Sequence, residues 1–323
     1  MKSSRTLLRA ITLALAASLI AFLGACSADD ESTADSDFTP VTIQHAFGST
    51  TIDAAPTRVV SLFADWTDTL AALDIPMVAR FAESGHENFP WTPANDAEVV
   101  PVADISQVSI DQIAKFNPDL ILAGPGAADE AAYKKFSALA PTLPVLKQGT
   151  TVDTWESLAE TAGKIFGKQD AATELISKTN AEIAAFKQQH PAAAGKTFIF
   201  AQVTPQGFGA VNSTEDASAG LLAQLGFTLE PGIAALHEAG GATRARLSAE
   251  RVDLLNSDLL VVYLPQGDRN VVNQIPGWNN LKAVRNGTVV YITDAEHGAF
   301  SVPSAPSVGF VIKTITPAVA KLT

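Results

Sequence analysis

The sequence describes an acidic chain of 323 residues, with 34 Asp and Glu against 22 Lys and Arg and a net charge of −12. Nucleic-acid binding needs a basic face toward the phosphates, so this charge balance argues against a nucleic-acid partner. We interpret the acidity as serving solubility. The length exceeds what one hydrophobic core usually organises, and two domains are expected.

The N-terminus reads as a secretory signal peptide. Lys2, Arg5 and Arg9 precede an uncharged apolar run over residues 10–23, which is shorter than the about 20 residues of a membrane span. The run ends at Leu23-Gly24-Ala25-Cys26, which resembles a bacterial lipobox. We predict a signal peptide over residues 1–25 and fatty acylation of Cys26, which would anchor the chain on the extracytoplasmic face of the membrane. The alternative is that Cys26, the single cysteine, is an inert thiol.

Residues 26–40 are predicted to form a disordered tether. The stretch after Cys26 is small and acidic and shows no apolar periodicity. Such a segment gives the anchored protein reach without adding to its fold.

The following residues alternate between strand-like and helix-like patterns, which predicts an α/β fold with mainly parallel sheets. A helix is expected over residues 67–73. Apolar strands are expected at residues 59–63, 119–123, 197–200, 258–263 and 288–292.

An internal repeat indicates two similar lobes. Residues 108–123 align without a gap with residues 247–262, and the alignment pairs Asp111 with Glu250. Each copy reads as a capping serine, an acidic first helical turn, an apolar stripe and a buried strand. We therefore predict an N-terminal lobe over residues 41–167 and a C-terminal lobe over residues 192–323.

A single long helix is predicted between the lobes, within residues 168–191. Residues 168–190 contain neither Gly nor Pro, and Leu175, Ile176, Ile183 and Phe186 form a helical stripe. The helix could be ~34 Å long. A rigid connection of this kind would limit closure of the lobes.

These features together resemble the substrate-binding proteins of iron-siderophore, haem and cobalamin importers. The resemblance spans residues 41–52, A-P-T-R-V-V-S-L from Ala55, T-L-A-A-L-D-I from Thr69, both copies of the repeat, and W-N-N-L-K-A-V-R-N-G-T-V-V-Y-I from Trp278. It implies two Rossmann-like lobes joined by one long α-helix, the class III periplasmic-binding-protein fold. The family usually has glycine where this chain has Asp74.

Two segments narrow the resemblance. Phe89-Pro90-Trp91 and residues 301–307 are similar to the ferric-siderophore-binding proteins of actinobacteria. The resemblance implies a monomer that delivers a ferric siderophore to an ABC-transporter permease, with Asp111 and Glu250 docking onto permease arginines. The alternative for both acidic residues is helix capping favoured by the helix dipole. No cofactor is expected, and no direct metal ligands, because the siderophore already coordinates the iron.

Ligand contacts are expected beyond the carboxyl ends of the strands, where open α/β sheets bind their ligands. Aromatic rings could stack on the siderophore, and arginines could donate to iron-bound oxygens. Trp66 could instead pack inward, and each arginine could be a solvated surface residue. The candidates are Trp66, Arg80, His86, Phe89, Trp91, Phe208, Arg244, Arg246, Tyr263, Arg269, His297 and Phe300.

Other functional classes have weaker support. The five histidines form no close pair of the kind zinc sites use, and we interpret them as surface residues. Gly124-Pro125-Gly126 follows a strand but lacks the third glycine of a dinucleotide site, so an enzyme is not expected. An adhesion module would show an exposed apolar patch and no cleft. Within the family, haem or cobalamin remains the alternative ligand, with His86, His297 or Tyr263 available as an axial ligand of haem.

Overall fold

The computed structural model describes residues 38–239 and 241–323, which belong to one compact unit. The predicted signal peptide, Cys26 and most of the predicted tether lie outside the described residues. No helix within the described ranges is long and apolar enough to cross a membrane.

The first half of the chain builds a parallel sheet behind an N-terminal hairpin. The hairpin pairs β1 (Val41–His45) with β2 (Gly48–Ile52). The sheet has the strand order β5-β4-β3-β6-β7, and all of its pairings are parallel. Its strands are β3 (Val59–Ser61), β4 (Ala79–Glu83), β5 (Glu98–Val102), β6 (Leu120–Gly124) and β7 (Thr142–Pro144). Its helices are α1 (Ala64–Ala72), α2 (Ile110–Ala114), α3 (Glu130–Ser137) and α4 (Trp155–Phe166).

A second sheet follows helix α5 (Gln169–Gln189). The strand order is β11-β9-β8-β12-β13, with β10 pairing with β8. Its strands are β8 (Thr197–Thr204), β9 (Gly207–Val211), β10 (Thr228–Leu229), β11 (Arg244–Leu247), β12 (Leu259–Tyr263) and β13 (Val289–Ile292). Its helices are α6 (Ala217–Gln224), α7 (Pro231–Ala234), α8 (Asn270–Asn273), α9 (Lys282–Asn286), α10 (Asp294–Ser301) and α11 (Ala305–Val319).

The predicted α/β fold is confirmed, but the second sheet is mixed. β9 runs antiparallel to both β8 and β11. The turn between β8 and β9 depends on Gly207, whose φ is 143° and whose missing Cβ would collide with the carbonyl oxygen of Leu247. This hairpin adds an antiparallel edge that the apolar pattern of the strands does not reveal.

Helix α5 agrees closely with the predicted connecting helix. It begins one residue after Lys168 and ends one residue before His190, and Pro191 starts a separate 3₁₀ turn. Ile183 and Phe186 of the predicted stripe are buried, and Leu175 packs against the cores of both halves. Helix α5 packs against α4 and also against the C-terminal helix α11, which in turn contacts α1. The division into two lobes flanking residues 168–191 stays a prediction.

The two copies of the repeat make equivalent contacts. The carboxylate of Asp119, just before β6, accepts hydrogen bonds from the backbone NH of Thr57 (2.8 Å) and Arg58 (2.9 Å), before β3. Asp258, just before β12, accepts hydrogen bonds from the NH (2.9 Å) and hydroxyl (3.0 Å) of Thr197 at the start of β8. In each sheet the aspartate before the repeat strand (β6 or β12) therefore accepts hydrogen bonds from residues at or just before the start of the neighbouring strand (β3 or β8).

Asp74, the departure from the family pattern, sits in a left-handed backbone conformation with φ of 51°. Because L-residues with a Cβ adopt this conformation at a cost, we expect Asp74→Gly to raise the free energy of unfolding by about 0.5–1 kcal/mol in urea titrations. The Lys168 ammonium donates to the backbone oxygens of Leu73 and Asp74, and the substitution leaves these bonds intact. Asp53→Gly, at an exposed position without positive φ, should give no gain. Equal effects of the two substitutions would contradict the prediction.

Candidate ligand-binding site

A cleft of about 330 Å³ lies where residues from the carboxyl ends of β3, β4 and β12 meet helix α10. This is the position at which parallel α/β sheets bind ligands, because the loops that follow the strands converge there. Its polar and aromatic lining consists of Phe63, Thr67, Asp68, Arg80, Phe81, Glu83, His86, Glu87, Phe89, Thr92, Tyr263, Asp294, His297 and Ser301.

Aromatic rings form two facing walls of the cleft. Phe89 stacks on the indole of Trp91 with ring centroids 4.6 Å apart and planes 7° apart, and the His86 ring lies 6.0 Å from that of Phe89. On α10 and β12, the rings of Tyr263 and His297 stack at 3.8 Å. The walls come close at Gly298, where a Cβ would lie 2.9 Å from the Phe89 ring. Flat surfaces therefore line both sides of a narrow opening.

Asp68 of α1 holds one end of the cleft together. Its carboxylate accepts hydrogen bonds from Trp91 Nε1 (2.9 Å), Thr92 Oγ1 (2.6 Å) and Ser304 Oγ (2.7 Å). Ser304 is the N-cap residue of α11, so this contact joins residues 236 positions apart. Burial raises the pKa of Asp68 to about 6, although these donors and the charge of Arg80 act in the opposite direction.

Arg80, the second residue of β4, supplies a buried guanidinium. It is 7% exposed, and its Nη atoms donate to the carbonyl oxygen of Glu87 and to Asn88 Oδ1 (2.7 Å). Burial lowers the pKa of Arg80, against the charges of Asp68 and Glu87. Within the described residues, Arg80 Nε has no hydrogen-bond partner. This donor could bind an acceptor oxygen of a ligand.

On the opposite wall, the two aromatic residues Tyr263 and His297 are uncharged at neutral pH. Tyr263 donates its hydroxyl to Asp294 Oδ1 at 2.6 Å, and burial together with Asp294 raises the pKa of the phenol. His297 Nε2 forms a hydrogen bond of 2.7 Å with Ser301 Oγ. Burial, followed by the charge of Arg244, lowers the pKa of His297 to about 4. At neutral pH this wall therefore presents a neutral phenol and a neutral imidazole.

The structure brings five of the predicted ligand residues into the cleft: Arg80, His86, Phe89, Tyr263 and His297. Trp91 stands directly behind Phe89, where its indole nitrogen binds Asp68 and its ring packs on Phe310.

Three predicted aromatic contacts lie in the hydrophobic core instead. Trp66 is 0% exposed and packs against Gly124 at the end of β6, while Phe208 and Phe300 are buried in the core of the second sheet. Their positions in the sequence place these residues near the edge of the sheet where the cleft lies. Each side chain, however, lies on the face of its helix or strand that packs into the core. In this conformation none of the three reaches the cleft.

Three predicted arginines also do not line the cleft. Arg244 Nε pairs with Asp216 Oδ2 at 3.0 Å, and the guanidinium of Arg269 lies 4.6 Å from the centre of the Tyr291 ring. Arg246 is exposed on β11, an edge strand. Arg244 and Arg269 thus bind groups of the protein itself, which their sequence positions could not indicate.

Asp68, Glu83, Glu87 and Asp294 are cleft residues that the sequence-based interpretation missed. The sequence feature that points to Asp68 is its position in the apolar helix α1, because a buried charged side chain needs hydrogen-bonding partners. Glu83 and Asp294 follow the same strand-end rule as the predicted residues. In the part of the chain that the structure describes, no cluster of three or more His, Cys, Asp or Glu is arranged to hold a metal ion.

A ligand-sized cleft between the carboxyl edges of two α/β sheets defines a solute-binding protein of class III architecture. The chain belongs to the periplasmic binding protein family, whose model matches residues 59–296. The family and the relatives below are binding proteins.

Curated relatives extend over most of the chain. It is 26% identical over 266 residues to the ferric enterobactin-binding periplasmic protein FepB of Escherichia coli O6:H1, covering 77% of this chain and 83% of the relative. It is 23% identical over 246 residues to the Fe(3+)-citrate-binding protein YfmC of Bacillus subtilis, covering 75% of each. Among solved structures, a periplasmic solute binding protein from Mycobacterium smegmatis superposes with a TM-score of 0.71 and 25% identity, covering 88% of this chain and 98% of the other.

Proposed function

We propose that this protein captures a ferric siderophore in the cleft and delivers it to an ABC importer for iron uptake. The observation that carries the proposal is the lining of the cleft, which combines stacked aromatic walls with a buried guanidinium donor. A siderophore already surrounds its iron with oxygen atoms, so its carrier needs flat surfaces and donors for recognition. Membership of the periplasmic binding protein family and the curated relatives supports the same cargo.

Asp111 and Glu250 are proposed to dock onto the permease. Both are exposed, and each lies in the first turn of the helix that precedes a repeat strand, α2 for Asp111 and a 3₁₀ helix (Ala249–Leu255) for Glu250. Exposed carboxylates at matching positions of the two copies could contact two symmetric basic sites at once.

Cys26 is proposed to carry fatty acyl chains that hold the protein, as a monomer, on the extracytoplasmic face of the membrane. The order of basic residues, apolar run, small residues and cysteine supports this proposal. Mass spectrometry of the N-terminal peptide from the membrane fraction tests it, since an unmodified Cys26 would contradict it.

Haem is a second candidate ligand because Tyr263 and His297 lie together in the cleft. A phenol or a neutral imidazole can coordinate haem iron. Binding of haemin in place of ferric chelates would favour this alternative.

The experiment that tests the proposed function is a titration of the purified full chain with ferric chelates, haemin and cobalamin, followed by tryptophan fluorescence. Trp91 stacks on the cleft residue Phe89, so we expect its emission to change when the cleft fills. We expect saturable binding of at least one ferric siderophore and none of the iron-free siderophore at the same concentration. If no ferric chelate binds, the proposal is wrong.

Phe89 gives a sharper test of the site. Phe89→Ala removes one aromatic wall, and we expect the dissociation constant for the ferric siderophore to rise by about five- to thirtyfold. Phe47→Ala is a matched control, because Phe47 is also half-buried but packs on Tyr133 outside the cleft. Equal losses of affinity in the two variants would show that the cleft is not the binding site.

A further inference from the structure

The charges in the cleft are unbalanced. Of the described residues that line it, four carry carboxylates (Asp68, Glu83, Glu87 and Asp294) and one carries a guanidinium, Arg80. The lysines of the described ranges are not among the lining residues.

The other cationic groups near the site do not correct this imbalance. Arg244 influences His297 electrostatically, but Asp216 pairs with it at 3.0 Å. His297 itself stays neutral at physiological pH, because burial lowers its pKa to about 4. Arg80 partly offsets the charges of both Asp68 and Glu87, so one guanidinium opposes four carboxylates in the described lining.

Glu83 and Asp294 are placed to act on a ligand from two sides. Glu83 is the last residue of β4 and is exposed at the cleft, while Asp294 begins α10 on the opposite wall. Burial raises the pKa of Tyr263 most, and the hydrogen bond to Asp294 and the charges of Asp294 and Glu83 raise it further, so both carboxylates act on the same ring. A bound complex between the two walls would lie in a negative potential.

We propose that the cleft selects ferric complexes without net negative charge, the class that trihydroxamate siderophores form, and discriminates against tricatecholates and citrate complexes. This inference rests on the proposed function and specifies its ligand. Three hydroxamates bring three negative charges, which cancel those of the ferric ion. Three catecholates bring six, and the resulting polyanion would be repelled by the carboxylates.

The test compares binding of ferrichrome, a neutral trihydroxamate complex, with binding of ferric enterobactin and ferric citrate to the full chain at low ionic strength. We expect ferrichrome to bind at least about tenfold more tightly than either anion. Added salt should narrow this ratio, because screening weakens the repulsion.

A charge variant and its matched control test whether the carboxylates cause the preference for ferrichrome. Glu83→Gln should reduce the ratio of the dissociation constant of ferric enterobactin to that of ferrichrome by about two- to fivefold. Glu98→Gln removes the same charge from an exposed residue at the start of β5, outside the cleft lining, and should leave the ratio unchanged.

The outcomes separate the two proposals. Tighter binding of ferric enterobactin or ferric citrate than of ferrichrome would overturn the charge selection and leave the proposed function standing. A preference for ferrichrome that neither salt nor Glu83→Gln alters would also overturn it. Binding of no ferric complex would overturn the proposed function itself.

Discussion

Asp68→Ala is expected to lower the free energy of unfolding by about 2–4 kcal/mol at pH 5, because it leaves one buried and two half-buried donors without an acceptor. These donors are Trp91 Nε1, Thr92 Oγ1 and Ser304 Oγ. They belong to the loop beside the cleft and to the N-terminus of α11, so the loss should also loosen the cleft. Urea unfolding monitored by circular dichroism measures the effect.

The pH dependence of this loss follows from the pKa of Asp68. Burial raises that pKa to about 6, so the carboxyl contributes stability that is present below about pH 4 and declines as the pH rises through 6. The difference between the wild-type protein and Asp68→Ala should therefore be larger at pH 5 than at pH 8. Ser304→Ala, which removes one donor and keeps the acceptor, should cost about 1–2 kcal/mol. If Asp68→Ala lowers the free energy of unfolding by less than Ser304→Ala does, the role given to Asp68 is wrong.

Asp65→Asn is expected to stabilise the protein at alkaline pH. Asp65 is fully buried, and its Oδ1 accepts a hydrogen bond from the backbone NH of Trp66 at 2.6 Å. Its Oδ2 has no partner within the described part of the chain. Burial and the charge of Asp153 raise the pKa of Asp65 to about 8. At pH 9 the wild-type protein must hold a buried carboxylate, whereas the asparagine side chain stays neutral.

The sign of the pH effect is set by the folded and unfolded pKa values. The folded pKa of Asp65 lies above the value of 3.8 for a free side chain, so its contribution to stability is lost as the pH rises toward 8. Asp68 and Asp153, with pKa values of about 6, and His297, with a pKa of about 4, titrate below this range. The interval from pH 6 to 8 therefore isolates Asp65.

Unfolding titrations over that interval provide the measurement. We expect the free energy of unfolding of the wild-type protein to fall between pH 6 and 8 and that of Asp65→Asn to change much less. At about 1.36 kcal/mol per pKa unit, the difference at pH 9 should amount to about 2–5 kcal/mol. Asp53→Asn, at an exposed site, should follow the wild-type curve. Parallel curves for Asp65→Asn and wild type would show that Asp65 does not titrate in this range.

Local features of the fold could be predicted because they depend on short stretches of sequence. Helix α5 agrees with its prediction to one residue at each end, since its boundaries follow from the stretch without Gly or Pro and from Pro191. The repeat identified Asp119 and Asp258 as equivalent, and both hold the start of a neighbouring strand. The antiparallel β9 was missed, because a hairpin turn at Gly207 looks like any loop with a glycine.

The site could be predicted only in part. The strand-end rule placed Tyr263, the last residue of β12, at the edge where the cleft lies, since chain position decides which edge of a sheet a residue reaches. That Tyr263 contacts a ligand stays a prediction. The rule does not predict which side chains are buried in the core, as Trp66 is. Nor does it predict which cations form an ion pair within the protein, as Arg244 does with Asp216. Those outcomes depend on packing between elements that are distant in the sequence.

The amino-acid sequence by itself determined the α/β class, the long helix, the repeat and the edge of the sheets where the cleft lies. These follow from periodicity and from residues that are neighbours along the chain. Only the tertiary structure decided the bonds from Asp68 to Ser304 and to Trp91, and the sign of charge inside the cleft. The reason is that a carboxylate's partners and its distance to a ligand are set by chain segments that meet only when the protein folds.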